Sequence, residues 1–300
     1  MKNIIGWAGA AVTLLFSCFW AYWGAAENFH EGWYHRSVLK NLLLFFVQYL
    51  SVAAAFILPA VFSLEWKTAG LVLHLAAAVF FALFFSGAKF RTAGMLMALP
   101  VLIPGFLYYF GQPEPKKWAY LLLICVPTLI VAAVSVPNII KISRRSGGND
   151  PGAKTVEGNG VALIWAPRGP GWPDRGMSWE EARRICRFLS PDGSSLSEEE
   201  QNIWRLPSAD EAVRSMALHG KNAGGVWHAR QNKAVYRMTP DKEPPLWDRY
   251  SPVIYYWTAD TDETDGKKAK IIVYHGGVYS KTKTGRQNSR SFRAVRDVSR

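Results

Sequence analysis

Val136-Pro137-Asn138-Ile139-Ile140-Lys141-Ile142-Ser143-Arg144-Arg145-Ser146-Gly147-Gly148-Asn149-Asp150-Pro151-Gly152 closes one kind of chain and opens another. Before it, the sequence is a series of apolar stretches. Each is about as long as a helix must be to cross a hydrocarbon core of ~30 Å. After it comes a tryptophan-rich, mixed-charge segment with the patterning of a water-soluble domain. The basic residues Lys141, Arg144 and Arg145 end the last apolar run, and the Gly, Asn, Asp and Pro that follow have linker composition. The expected fold class is a multi-pass α-helical membrane domain over residues 1–145, a linker over 146–158, and an α+β soluble domain over 159–300.

Toward the N-terminus, five transmembrane helices are expected, at residues 4–24, 38–64, 68–87, 92–111 and 118–140. Trp23, Trp33, Trp66, Tyr108, Tyr109 and Trp118 mark their ends, where amphipathic rings prefer head-group depth. Of the chain's 35 Lys+Arg and 23 Asp+Glu, residues 1–145 hold 11 and 4. These cations sit at span ends, where they set orientation and meet anionic head groups rather than nucleic acid. With five spans, Arg36, Lys40, Lys89, Arg91, Lys141, Arg144 and Arg145 share one face, opposed by Lys2, Lys67, Lys116 and Lys117. That asymmetry places the soluble domain on the cytoplasmic side of a cell membrane. The three cysteines, Cys18, Cys125 and Cys186, allow no disulfide within the soluble domain, which agrees with a reducing compartment.

Between the first two spans, Glu27, His30, Glu31 and His35 would fall on one broad face if the stretch is helical. Carboxylates and imidazoles together can hold zinc or iron. A short interfacial loop also needs polar residues, Gly32 weakens a helix, and no established metal motif is present. A membrane enzyme with a metal site here is the alternative to a recognition protein, and no cofactor is expected. His74, alone in the third span, reads as an interhelical hydrogen-bonding residue.

In the soluble half, residues 161–166 read as a strand. Ser178 with Glu181, and Ser208 with Glu211, read as capping boxes opening two helices, the second ending near His219-Gly220. Residues 253–259, 269–274, 277–281 and 291–298 read as strands, the middle two joined by a hairpin at His275-Gly276.

The order of these features carries a resemblance. A helix with Trp179, Ala182, Cys186 and Leu189 leads to Gly193, then to Trp204-Arg205-Leu206-Pro207-Ser208 with Glu211. Later come Tyr256-Trp257-Thr258-Ala259 and a closing Phe292-Arg293-Ala294-Val295-Arg296. The set resembles the bacterial Lcl C-terminal domain family, related to the sulfatase-modifying-factor and C-type-lectin-like folds, over roughly residues 161–298. The resemblance implies a compact, loop-rich mixed fold used mainly for recognition, and it does not imply catalysis. The formylglycine-generating enzymes of that wider group need a cysteine pair, and only Cys186 stands here. Many closer members carry a second cysteine where this chain has Ala294. No resemblance is recognised for the membrane half.

A ligand surface would use the loops at 168–175, 224–228, 242–250 and 260–265, with Trp172, Trp227 and Trp247 as aromatic anchors. Arg205 is a candidate ligand contact, although its apolar neighbours also call for a structural partner such as a carboxylate on the last strand. Asp260, Asp262, Glu263 and Asp265 lack the spacing of a calcium loop. The expectation is an integral membrane protein, in contact with the lipid bilayer, whose non-catalytic C-terminal domain binds a protein or a small polar ligand. An extracellular glycan-binding receptor is the alternative if the topology is reversed.

Overall fold

The computed structural model describes residues 1–31, 35, 37–86, 91–145, 152–170, 176–247, 253–284 and 290–298, the side chains of His30, Glu31, Arg91 and Ala93 excepted. The chain divides into two compact units, one built on residues 1–30 and 37–140, the other on 31–36 and 141–300.

The first unit is helical: α1 (Lys2–Glu31), α2 (Val38–Leu44), α3 (Ser51–Glu65), α4 (Lys67–Phe85), α5 (Arg91–Phe110) and α6 (Lys116–Ser143), with one π-helical segment, Phe45–Leu50, joining α2 to α3. Among the described residues, four helical stretches are long and apolar enough to cross a membrane: Lys2–Phe29, Val38–Glu65, Lys67–Phe85 and Lys116–Ser143. The fifth expected span falls on α5, whose described apolar run, Gly94–Phe110, is shorter. Pro59, Pro100, Pro104, Pro127 and Pro137 all lie inside helices, as hydrocarbon-embedded bundles tolerate. Large apolar side chains face outward, Leu39 at 76% and Leu83 at 73% exposure. Such a surface suits lipid rather than water.

Small residues set the helix approaches. A Cβ on Gly70 would run into Ser63, and one on Gly105 would lie 2.7 Å from His74 Cβ. Close backbone approach is how helices gain packing energy where lipid is as apolar as leucine. His74 is buried beneath Gly105, but its Nδ1 lies 2.9 Å from the Gly70 carbonyl of its own helix. The hydrogen bond is therefore intrahelical, not the interhelical one its isolation suggested.

The second unit is α+β. Strands β1 (Lys154–Gly158), β2 (Val161–Trp165) and, at the far end of the chain, β11 (Val295–Asp297) form one sheet in the order β1-β2-β11. The main sheet has the order β10-β7-β8-β9, from β7 (Tyr255–Thr261), β8 (Lys268–Val273), β9 (Val278–Thr282) and β10 (Arg290–Ser291). Two small hairpins, β3 (Ala217–Leu218) with β4 (Lys221–Asn222) and β5 (Val226–His228) with β6 (Lys233–Val235), complete it.

The period of two along the main sheet divides the core. Tyr256 and Ile272 face one cluster with Trp165, Val213, Met216 and Trp247, while Trp257, Ile271 and Val273 face another with Trp179, Cys186, Trp204 and Leu206. Helix α8 (Ala209–Ser215) contributes to the first cluster and α7 (Trp179–Phe188) to the second. The sheet is covered on both faces, so its central strands carry consecutive buried residues, Tyr256–Thr258 on β7 and Ala269–Val273 on β8.

Four details depart from the expectations. Lys154–Gly158, read as linker, is a strand paired with β2 through Lys154↔Trp165 and its neighbours. The second helix stops at Ser215. His219 and Gly220, at φ 53° and 74°, instead form the two-residue turn of the β3–β4 hairpin, since a turn with both central residues left-handed matches strand twist. The closing stretch 291–298 is two short strands, because the chain leaves one sheet at Ser291 and joins the other at Val295. Loop 242–250, read as a ligand surface, is buried over its described part: Lys242, Glu243, Leu246 and Trp247 are each at most 2% exposed.

Candidate functional site

The Trp204-Arg205-Leu206-Pro207-Ser208 segment is a junction. Trp204 and Leu206 are buried in the second core cluster, while Arg205 pairs by backbone with Val295, N to O at 3.0 Å and O to N at 2.8 Å. The Pro207 carbonyl accepts from Ala259 N at 2.8 Å. Ser208 then caps α8: its hydroxyl accepts from Glu211 N, and the Glu211 carboxylate reaches back to Ser208 N at 2.7 Å. Gly193, at φ 77°, lies against the Trp204 ring, where a Cβ would come within 2.8 Å. Trp204 Nε1 donates to the Ser190 carbonyl at 2.9 Å.

Arg205 ties this junction to the last strand. Its guanidinium donates to both Glu211 oxygens at 2.7 Å and to Asp297 Oδ1 at 2.8 Å. The side chain is 43% exposed, so the fork lies at the surface rather than in the core. Burial alone would raise the Glu211 carboxyl; Arg205 and the Ser208 N–H bring it below the ordinary carboxylate range. Arg293, by contrast, is fully buried, at 1% exposure. It donates from Nε to the Ala166 carbonyl at 2.7 Å, and to the carbonyls of Pro245 and Gly152.

Helix α7 lies beside the junction. Ser178 accepts from Glu181 N at its start, and Trp179 Nε1 donates to the Thr258 carbonyl at 2.8 Å. Ala182, Ile185 and Cys186 are buried, leaving Glu180, Arg183, Arg184 and Arg187 on the opposite face at positions i, i+3, i+4 and i+7. That face, the Trp204–Ser208 segment and Ala259 line an open groove of about 550 Å³. Its volume falls within the ~300–1,000 Å³ of small-molecule sites. Arg183 lies over the Trp179 ring at 4.7 Å, and Arg187 pairs with Glu200 at 3.1 Å. Arg184 has no partner among the described residues. Cys186 lines the groove but is 2% exposed, and burial pushes its thiol up, away from the thiolate that nucleophilic chemistry uses.

The other expected site residues lie apart. Trp247 has no exposed surface and packs edge-to-face on Tyr256 at 5.2 Å, so it is a core residue rather than a ligand anchor. Trp227 is half-buried beneath the ammonium of Lys270, 5.1 Å from the ring centre. Trp172 lies outside the described residues. Glu27 lies on α1, as do His30 and Glu31, whose side chains are not described; His35 is exposed. No group of three metal-capable side chains occurs among the described residues. Asp262 is engaged in its own turn, accepting from Thr264 N at 2.8 Å, Thr264 Oγ1 at 2.6 Å and Asp265 N at 3.1 Å.

A buried charge cluster escaped the sequence reading. Arg145, 4% exposed, donates from Nε and Nη2 to the two oxygens of Asp241, 2% exposed, at 3.1 and 2.9 Å, and Lys141 approaches the same carboxylate at 3.5 Å. Burial alone would raise the Asp241 carboxyl. The Arg145 charge, with the Lys242 N–H, holds it below the ordinary range. Glu243 caps the β3–β4 turn, accepting from His219 N at 2.8 Å and Gly220 N at 2.9 Å. The only sequence hint was that Asp241-Lys242-Glu243 sits among prolines and apolar residues.

No protein-family model, curated protein or solved structure matches the chain.

Proposed function

We propose that this is an integral membrane protein whose C-terminal unit is a non-catalytic recognition domain of the C-type-lectin-like kind, held on the cytoplasmic side. It binds a small polar ligand or a segment of another protein. The observation that carries this reading is the groove between α7 and the Trp204–Ser208 segment. One wall is fixed by the capping box and the Arg205 fork, while the other presents Arg184 without an internal partner. A fixed wall opposite adaptable side chains suits recognition, since the cost of ordering the site is low on one side. The family likeness is supported by the way its quoted residues converge: Trp179, Cys186, Trp204, Leu206, Trp257, Phe292 and Ala294 share one core cluster.

A photo-reactive amino acid at position 184 tests this in cells. Crosslinked adducts of defined mass that are absent when the probe sits at exposed Lys233 support a groove ligand. Identical adducts from both positions, or none from 184, contradict it.

A further inference from the structure

A second concavity lies on the same unit, where the β5–β6 hairpin meets the turn between β7 and β8. It has a volume of about 160 Å³ and is lined by Arg230, Asn232, Asp262, Glu263, Thr264 and Lys270 among others. Two loops with recognition composition, 224–228 and 260–265, flank it, and Trp227 lies against Lys270.

Lys270 is the decisive residue. It is 6% exposed, yet it lines the concavity. Its ammonium lies over the indole of Trp227 and forms neither an ion pair nor a hydrogen bond among the described residues. Burying an ammonium without a counter-charge is costly, and a cation–π contact offsets only ~0.5–2 kcal/mol of that. An anion in the concavity would complete the arrangement. Arg230 adds a second unengaged cation and Asn232 an unengaged amide, whereas Asp262 is held in its own turn. Glu263 is the one lining carboxylate without a partner among the described residues. The volume is well below the ~300–1,000 Å³ of drug-sized sites, so the ligand is only a few heavy atoms across.

We infer that this concavity binds a small zwitterion of the amino-acid class, its carboxylate on Lys270 and Arg230 and its ammonium toward Glu263. The site is separate from the α7 groove, and neither reading depends on the other.

Saturation-transfer NMR on the full chain in detergent, with glycine, acetate and methylamine as probes, tests it. Glycine is expected to bind, acetate more weakly and methylamine not at all. Lys270→Met and the exposed Arg230→Ala should each weaken glycine at least tenfold. Glu263→Gln should weaken glycine and leave acetate unchanged. Arg184→Ala, in the groove, should change none of these. Absence of glycine transfer, or glycine binding that survives Arg230→Ala and Lys270→Met, overturns the site. Binding lost only with Arg184→Ala overturns it equally, by moving the zwitterion to the groove. Should Lys270→Met fail to fold, Arg230→Ala and Glu263→Gln decide alone.

Discussion

Two arginines show how differently one residue type can act in this unit. Arg205 makes a three-point fork with Glu211 and Asp297 at 43% exposure. Exposed pairs contribute ~0–1 kcal/mol once screening is allowed for, with bidentate geometry toward the upper end. Arg293 is sealed among three carbonyls. Its removal leaves these carbonyls without their donor, and each buried acceptor left unsatisfied costs ~1–3 kcal/mol. Arg205→Ala should therefore lower stability by ~1 kcal/mol and Arg293→Ala by several times that, as read from thermal melts. Equal losses would mean that the fork is not solvent-screened. The Asp241 cluster adds a pH signature. Its folded carboxyl lies below the unfolded value of ~3.9, so its contribution is fully present above that pH and is lost as pH falls through the folded value. The stability gap between the native chain and Arg145→Ala should accordingly be widest near neutrality and close in acid. A gap independent of pH would remove the charge pair as its cause.

At the scale of elements, the sequence was most legible where one signal dominated. Ser178 and Ser208 announced α7 and α8 because a side-chain oxygen three residues before a Glu has few other uses. The β8–β9 hairpin was legible from apolar runs broken at His275-Gly276. Strand β1 was not. It lies at the edge of its sheet with only Lys154 and Val156 half-buried, and a polar edge strand has loop composition. The end of α8 was misplaced because Ala217-Leu218 continues a helical apolar pattern, while the His219-Gly220 turn asserts itself only through pairing with Lys221-Asn222. Of the candidate site, Arg205 was found because its neighbours are apolar. The groove was not, since it needs α7 and the Trp204–Ser208 segment side by side. The main continuous stretch of the unit starts at Lys141, and Ile142 and Arg145 just after it are buried. A fragment of residues 141–300 should melt cooperatively. A fragment of 150–300 lacks the Arg145 partner of Asp241 and should melt roughly 10 °C lower, given ~2–4 °C per kcal/mol at this size. Coincident melting points would exclude Arg145 from the unit's core.

For the whole molecule, the work is divided, on the proposed reading, between apolar helices suited to a membrane and an α+β unit suited to recognition. Lys141 and Arg145 belong to both accounts. The orientation rule counts Lys and Arg and gives acidic residues little weight, so pairing with Asp241 does not alter the expected bias. The side on which the C-terminus lies depends on whether α5 crosses, because one span more or fewer reverses it. The central claim is a recognition domain fixed to the membrane and facing the cytoplasm, and protease accessibility of a C-terminal tag tests it most directly. In intact cells stripped of their outer layers the tag should survive, and in washed inside-out membrane vesicles it should be removed while the apolar half stays with the membrane. Removal from intact cells, with protection in the vesicles, would place the domain outside and contradict the account.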